Sequence, residues 1–198
     1  MGSRSNSNNL RLGMQKDWVS NWFSEKNQFY LFLQNDFIIY KFFYYHLRFK
    51  DKLLKIRVVR FSKKIVLLFL LVNQKNFIFK TLKLNPFLFK NRDLFLVFSK
   101  EKNYKNSAFF IANKIGLLIE NRINFRSSVI KKIINDTFLA KSVLIVLKGR
   151  INNVEMAKKD FLNRGSIPFQ KFKTKIDFSL IVINTLKGSL SLKVWLCF

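Results

Sequence analysis

One cysteine, one histidine and 11 acidic residues among 198 set the first limits on this chain. Cys197, next to the terminal Phe198, cannot form an intramolecular disulfide or a cysteine-rich zinc site, and it reads as buried packing. His46 has no second histidine to join it, and Asp17, Glu25 and Asp36 show no paired-carboxylate arrangement, so they are expected to balance nearby lysines. With no catalytic or metal-ligating constellation, no enzyme activity, small-molecule substrate, cofactor or metal is expected. Long apolar runs are lacking too. The longest, "IVLLFLLV" at 65–72, is far shorter than the roughly 20 residues a membrane-spanning helix needs, so no span is expected. The N-terminal "MGSRSNSNNLRLG" has no signal-peptide core and no amphipathic transit helix, so either the protein stays where it is made or its address lies elsewhere. Glycine is scarce, and residues 46–102 contain none.

Positive charge is what the chain has in excess. Its 37 basic residues give a formal net charge of +26, a repulsion that a solitary domain would not carry in its compact state. A polyanion must neutralise it. Nucleic acid leads, because phosphate binding releases counterions; an anionic membrane surface is the alternative. The charge is spread along the chain: residues 1–45 carry 5 basic and 3 acidic side chains, 46–102 carry 15 and 3, and 103–198 carry 17 and 5. Excesses of +2, +12 and +12 describe a folded basic surface and not a charged tail. The 24 Phe, and the abundance of Lys, Asn and Ile, also suit an AT-rich genome such as an organelle's.

Periodicity divides the chain into three regions. Residues 1–45 read as an extended arm followed by an aromatic segment, mostly helical, with Ser24 as its cap and Trp18 and Trp22 more fit for a core than for base stacking. Residues 46–102 hold short β-branched and aromatic runs, "LLKIRVVRF", "KKIVLLFLLV", "NFIFKTLKL" and "DLFLVFS", with a break at Asn85-Pro86, and predict a small sheet. In 103–198, Ala108, Ile111, Ala112, Ile115, Leu118 and Ile119 form a helical stripe, capped by Ser107 and closed by Arg122 in the last turn. A second helix buries Val129, Ile130, Ile133, Ile134 and Phe138 and projects Arg126, Lys131 and Lys132. "SVLIVL" is a strand. After it, Asn152 and Glu155 have the spacing of a capping box, which predicts a helix burying Val154, Ala157 and Phe161 and ending at Gly165. Two alternating segments, 171–178 and 190–196, predict the remaining strands. The whole is an α+β protein whose C-terminal domain packs its helices on one face of a sheet.

The segment "LKGRINNVEMAKKDFLNRGSIPF" (147–169) groups Arg150, Lys158, Lys159 and Arg164 with no His or Cys, which suits an anion better than a reaction. Its Gly149, Arg150, Glu155, Ala157, Gly165, Ile167 and Pro168, followed by Lys193-Val194-Trp195, resemble the end of bacterial and organellar small-subunit ribosomal protein three. Gly2, Arg4, Asn6, Arg11, Leu12, Gly13, Trp18, Ser20 and Trp22 are similar to that family's opening, and the helix "SAFFIANKIGLLIENRINFR" is similar as well. The resemblance implies a structural constituent of the ribosome that binds the 3′ domain of small-subunit rRNA in the head, beside other head proteins, and helps to form the mRNA entry channel. It implies rRNA contacts at Gly2, Arg4, Arg11, Gly149, Arg150 and Asn152. It implies further contacts at Lys158, Lys159, Arg164, Lys171, Lys173, Lys175 and Lys193. For mRNA entry it points to Arg126 with Lys131 or Lys132, although Ser127 replaces one member of the family's basic pair.

The family's middle is a type II KH module, and with no glycine in 46–102 its Gly-x-x-Gly loop is absent here, leaving a degenerate, KH-like sheet region. The expected place is the mitochondrial matrix, with a plastid as the alternative; the family-like N-terminus suggests an organelle-encoded protein. Rival readings are a free RNA-binding regulator and a basic protein at a membrane surface.

Overall fold

The computed structural model describes residues 6–46, 53–61, 64–71, 93–100, 103–186 and 188–198. The chain forms two compact units, one of Trp18–Tyr104 and one of Met1–Asp17 with Lys105–Phe198. The first 45 residues are therefore not a region of their own. The arm belongs with the C-terminal half, and the aromatic helix belongs with the middle strands.

In the unit Trp18–Tyr104, a two-residue strand β1 (Ser20–Asn21) precedes helix α1 (Lys26–His46). The helix starts later than its aromatic spacing suggests, and Ser24 does not cap it, since its buried Oγ has no hydrogen-bond partner. Strands β2 (Leu53–Arg60), β3 (Lys64–Leu71) and β4 (Asp93–Lys100) follow; "NFIFKTLKL" and Asn85-Pro86 lie outside the described residues. The sheet order is β1-β2-β3-β4, with β2 and β3 antiparallel and the outer pairings parallel. Alternation decides which face is covered. Ile56 lies opposite Phe69 and Val58 opposite Leu67, all buried, and Ile39 and Phe43 of α1 pack onto them.

The same face ends in a buried ion pair. Arg60, opposite Ile65 on the sheet, directs its guanidinium at Asp36 of α1, and both side chains are at most 5 % exposed. Arg60 Nε donates to Asp36 Oδ1 at 3.0 Å, and Trp22 Nε1 donates to Oδ2 at 2.7 Å. Trp22 also packs edge-on against Phe32 at 5.6 Å and is half-buried there, whereas Trp18, expected in the core with it, is 62 % exposed. Asp36 thus balances a buried arginine, not a surface lysine. A lone buried charge is costly to leave unpaired. Replacing Asp36 by Ala should lower the stability of this unit by about 3–5 kcal/mol, measured by urea unfolding.

The second unit contains helices α2 (Ala108–Glu120) and α3 (Ser128–Asn135) and strands β5 (Ser142–Gly149), β6 (Lys158–Arg164), β7 (Ile176–Thr185) and β8 (Gly188–Cys197). Every pairing in the sheet β6-β5-β8-β7 is antiparallel. Ile111 and Ile115 of α2, Ile130 and Ile133 of α3, and Val143, Ile145, Leu192, Val194 and Leu196 of the sheet share one core. The helices do lie on one face. The other face is covered at one end by Ile167 and Phe169 packed on Leu144, Ile176, Trp195 and Cys197, so Cys197 is buried as expected.

Several local expectations change. Val129 is 45 % exposed and Phe138 80 % exposed, so neither belongs to the stripe of α3. Arg122 does not sit in the last turn of α2 but beyond it, at φ +61°, where its N–H donates to Ile119 O and that of Ile123 to Leu118 O. This is a Schellman closure with arginine where glycine is usual. Ser107 stands at the cap position of α2 without capping through its side chain, and Asp177 Oδ2 accepts the Ala108 N–H at 2.8 Å instead.

The arm is not extended. Asn9–Arg11 form a 3-10 turn that inserts Arg11, only 1 % exposed, under the segment before β7. Arg11 donates to the carbonyls of Ser7 (3.2 Å), Phe169 (3.1 Å), Lys171 (2.9 Å) and Thr174 (2.9 Å), and Gln15 Nε2 donates to Lys173 O at 2.5 Å. Those bonds explain why residues 171–175, despite their alternation, are not a strand: their carbonyls face the arm, and β7 starts at Ile176. Asn8 adds a bidentate bond to the backbone of Phe178, and Lys16 pairs with Asp177 at 2.6 Å. Arg11→Met should cost about 2–4 kcal/mol, because a charged donor is lost from several acceptors at once. Urea unfolding should show the loss, and limited proteolysis should then cut within residues 6–17.

Candidate nucleic-acid interface

The residues expected to make a helix after Asn152 form a strand. Ile151–Asn153 make a single 3-10 turn, residues 154–157 run on without helical structure, and Lys158–Arg164 pair along β5 as β6. Asn152 therefore caps nothing, and no helix N-terminus offers its amides there. Its left-handed backbone, φ +54°, is the conformation asparagine tolerates best among non-glycine residues. Val154 and Phe161, expected in the core, are 38 % and 56 % exposed, while Leu162 packs on the helix-side core in their place. Gly165 is left-handed as expected, but it ends a strand and not a helix.

Three connections meet at one end of the sheet. They are the α2–α3 loop with Arg122, Asn124 and Arg126, the β5–β6 connection with Arg150 and Asn152, and the β7–β8 turn with Asn184 and Thr185. Between them lie two open grooves of about 760 and 460 Å³ that share Asn124 and Asn152 as lining. Lys158 and Lys159 line the smaller one. Gly149 is favoured here by its backbone, at φ +134°, and by the close approach of β8, since a Cβ would lie 3.1 Å from Ser189 O.

The electrostatics at this end are one-sided. Lys148 lies directly opposite Lys159 across the β5–β6 ladder, and both are exposed. Facing like charges destabilise a strand pair unless an outside anion sits between them. Arg126 reaches across to β6, where its guanidinium grips Asp160 with Nε–Oδ2 at 3.0 Å and NH2–Oδ1 at 2.9 Å. This bond joins the two clusters that the sequence kept apart, the one around Arg126 and the one around Lys158 and Lys159. Arg150 Nε donates to Val154 O at 3.2 Å and shapes the connection. Lys131 and Lys132 are on the exposed side of α3 and do not line either groove.

The other expected contacts are placed elsewhere or used differently. Arg164 is turned inward, donating to Ile134 O, Thr137 O and Ala140 O at 3.1, 2.9 and 2.6 Å, so it staples the end of α3 to β6. Arg11 is buried in the same manner. Neither guanidinium is presented for the phosphate contact expected of it. Lys171, Lys173 and Lys175 are exposed beside the start of β7, about 30 Å along that strand from the grooves. Lys193 is half-buried in mid-sheet, and Gly2 and Arg4 lie outside the described residues. Lys148 was not singled out from the sequence, and Arg122 was read only as the end of a helix. Lys148 followed an apolar strand without a motif, and the position of Arg122 depends on the helix closure. Among the described residues no His, Cys, Asp and Glu cluster could hold a metal, and no helix is long and apolar enough to cross a membrane.

The bond to Arg126 holds the Asp160 carboxyl below the usual carboxylate range, with a smaller contribution from the Phe161 N–H and against a small opposing effect of burial. Because the folded-state value is lowered, the contact contributes above the unfolded carboxylate value and is lost as pH falls through the folded one. An NMR titration of Asp160 should find its midpoint below that of an ordinary aspartate. In Arg126→Gln the midpoint should move up.

Residues 115–196 match the family described as ribosomal protein S3, C-terminal domain. Over 99 % of both chains, the protein is 31 % identical to small ribosomal subunit protein uS3c of Euglena longa. It is 26 % identical to the uS3 of Dictyoglomus turgidum, covering 99 % of this chain and 83 % of that one, and 28 % identical to the uS3 of a Sulfurovum species, covering 99 % and 87 %. A family match over the helix-backed sheet, with full-length similarity on both sides of it, shows that the chain belongs to the uS3 family of small ribosomal subunit proteins, a structural family and not a catalytic one.

Proposed function

We propose that this uS3 protein binds small-subunit rRNA in the head and lines the mRNA entrance, using the three-loop end of its C-terminal sheet as the main contact. The observation that carries this reading is that this end of the sheet is basic on both faces: Lys148 and Lys159 oppose each other on the face away from the helices, and Lys158, Arg122, Arg126 and Arg150 line the grooves, with Glu120, Glu155 and Asp160 as the nearby acids. Such a surface holds positive charge beyond what its own carboxylates can balance, and a phosphate chain in the grooves supplies the difference. Lys171, Lys173 and Lys175 form a second contact region at the far end of β7; Gly2 and Arg4, which lie outside the described residues, are further proposed rRNA contacts. Lys193 supports the sheet face between the two. Arg126, held by Asp160, and the exposed Lys131 and Lys132 are the side chains proposed for mRNA. The small sheet of residues 53–100 is read as a KH type II remnant without its phosphate-clamping loop, which leaves the C-terminal unit to carry the rRNA contact.

An organellar ribosome is the proposed setting. The glycine-free middle favours the mitochondrial matrix, while the similarity to the plastid-type uS3c of Euglena longa favours a plastid. Peptide identification in small subunits purified separately from the two organelles decides between them. Recovery only outside ribosomes would return the protein to the class of free RNA-binding regulators.

Binding to small-subunit rRNA, measured by filter retention across a potassium chloride series, tests the interface. Replacing Lys148, Lys158 and Lys159 with Gln should make the log–log salt slope shallower by about 2–3, one phosphate contact being worth slightly less than one in slope. An unchanged slope would remove this end of the sheet from the interface.

A further inference from the structure

We infer that the outer edge of β7, from Leu180 to Asn184, receives an extended segment of a neighbouring small-subunit protein as a fifth strand of the C-terminal sheet. The inference rests on the ribosomal reading above and names a protein contact within it.

β7 ends the sheet order β6-β5-β8-β7, so one of its edges has no partner strand. The direction of that edge is given by Phe178, whose N–H donates to Asn8 Oδ1 at 3.1 Å and whose carbonyl accepts from Asn8 Nδ2 at 2.7 Å. Asn8 is not a strand residue, yet its amide bonds this edge as a strand backbone would. With a strand period of two, the N–H and C=O groups of Leu180, Val182 and Asn184 point the same way. Among the described residues no hydrogen bond reaches them from that side. Leu180 and Val182 are 52 % and 61 % exposed.

Edges of this length are usually protected by a charge, a proline or a bulge. Residues 178–186, "FSLIVINTL", have no charge and no proline, and the β7–β8 register runs unbroken through ten pairs. The edge is therefore built to be paired. A peptide fits it and a nucleic acid does not, because only a peptide presents coplanar N–H and C=O groups in alternation, with side chains able to meet Leu180 and Val182. Charge narrows the peptide. Residues 178–198 contain Lys187 and Lys193 and no acid, with Lys193 directly opposite Leu180. The arriving strand should carry apolar residues at alternate positions and a carboxylate. A second copy of this chain is disfavoured, since it would bring another +26 to a basic face.

The test compares hydrogen exchange in purified, intact small subunits with that of the isolated chain, together with a photoreactive side chain at position 182. In the subunit, the amides of Leu180, Val182 and Asn184 should exchange at least about 100-fold more slowly, and position 182 should cross-link to protein. Val182→Pro removes an outward N–H without touching the ladder to β8. Its subunits should still contain the chain, but with the slow exchange of Leu180 and Asn184 lost. If the proline variant fails to fold, Val182→Lys should produce the same loss. Unchanged exchange in subunits that contain the chain, or a cross-link to RNA, overturns the proposal alone. A chain that never enters small subunits overturns the ribosomal reading and this proposal with it.

Discussion

Mutual repulsion among cations is the constraint that every part of this fold has to meet. A net charge of +26 on 198 residues works against compaction, and the structure answers by separating its two kinds of cation. Arginine is turned inward at decisive points: Arg11 beneath the segment before β7, Arg60 against Asp36, and Arg164 on the carbonyls after α3. A planar guanidinium can satisfy several acceptors at once, so each of these charges is dispersed into hydrogen bonds. Lysine, a compact and strongly hydrated charge, is nowhere fully buried among the described residues and lies mostly at the surface. There it gathers on the β5–β6 hairpin and on the segment before β7, where an external polyanion can take up what the fold cannot.

The same division explains how the interface is assembled. β6 is an edge strand whose outward positions are filled by Lys159, Phe161 and Asn163, while Leu162 turns to the helices. Arg126 fastens the α2–α3 loop to this strand through Asp160, so loops far apart in sequence present their cations together. Fixing those side chains before the ligand arrives lowers the ordering cost of binding.

How much of this was legible in the residues depended on the range of the interactions. α2, the core of α3, β5 and β8 were readable because their apolar spacing is strong and local. β6 was not. Asn152 and Glu155 imitate a capping box and Val154, Ala157 and Phe161 a helical stripe, but seven consecutive pairings to β5 outweigh that local preference. Residues 171–175 failed in the opposite direction, since a good strand alternation was overridden by an arginine some 160 positions away. The inward roles of Arg11 and Arg164 had no local signature. Their partners are backbone carbonyls that exist only once the chain is folded. Within the candidate site, Arg150, Lys158, Lys159 and Arg126 were visible as charge clusters. Their convergence was not, nor was the facing of Lys148 and Lys159, which is a matter of register.

The clasp between Asn8, Arg11 and the segment before β7 also sets an order of events during synthesis. Residues 6–17 leave the translating ribosome some 150 residues ahead of Phe169, Thr174, Asp177 and Phe178, which hold them. Until then the unit Trp18–Tyr104 can close on its own contacts while the arm waits without a binding surface. The arm is thus made well before the surface that holds it, and its docking reports that the β7 region has been completed.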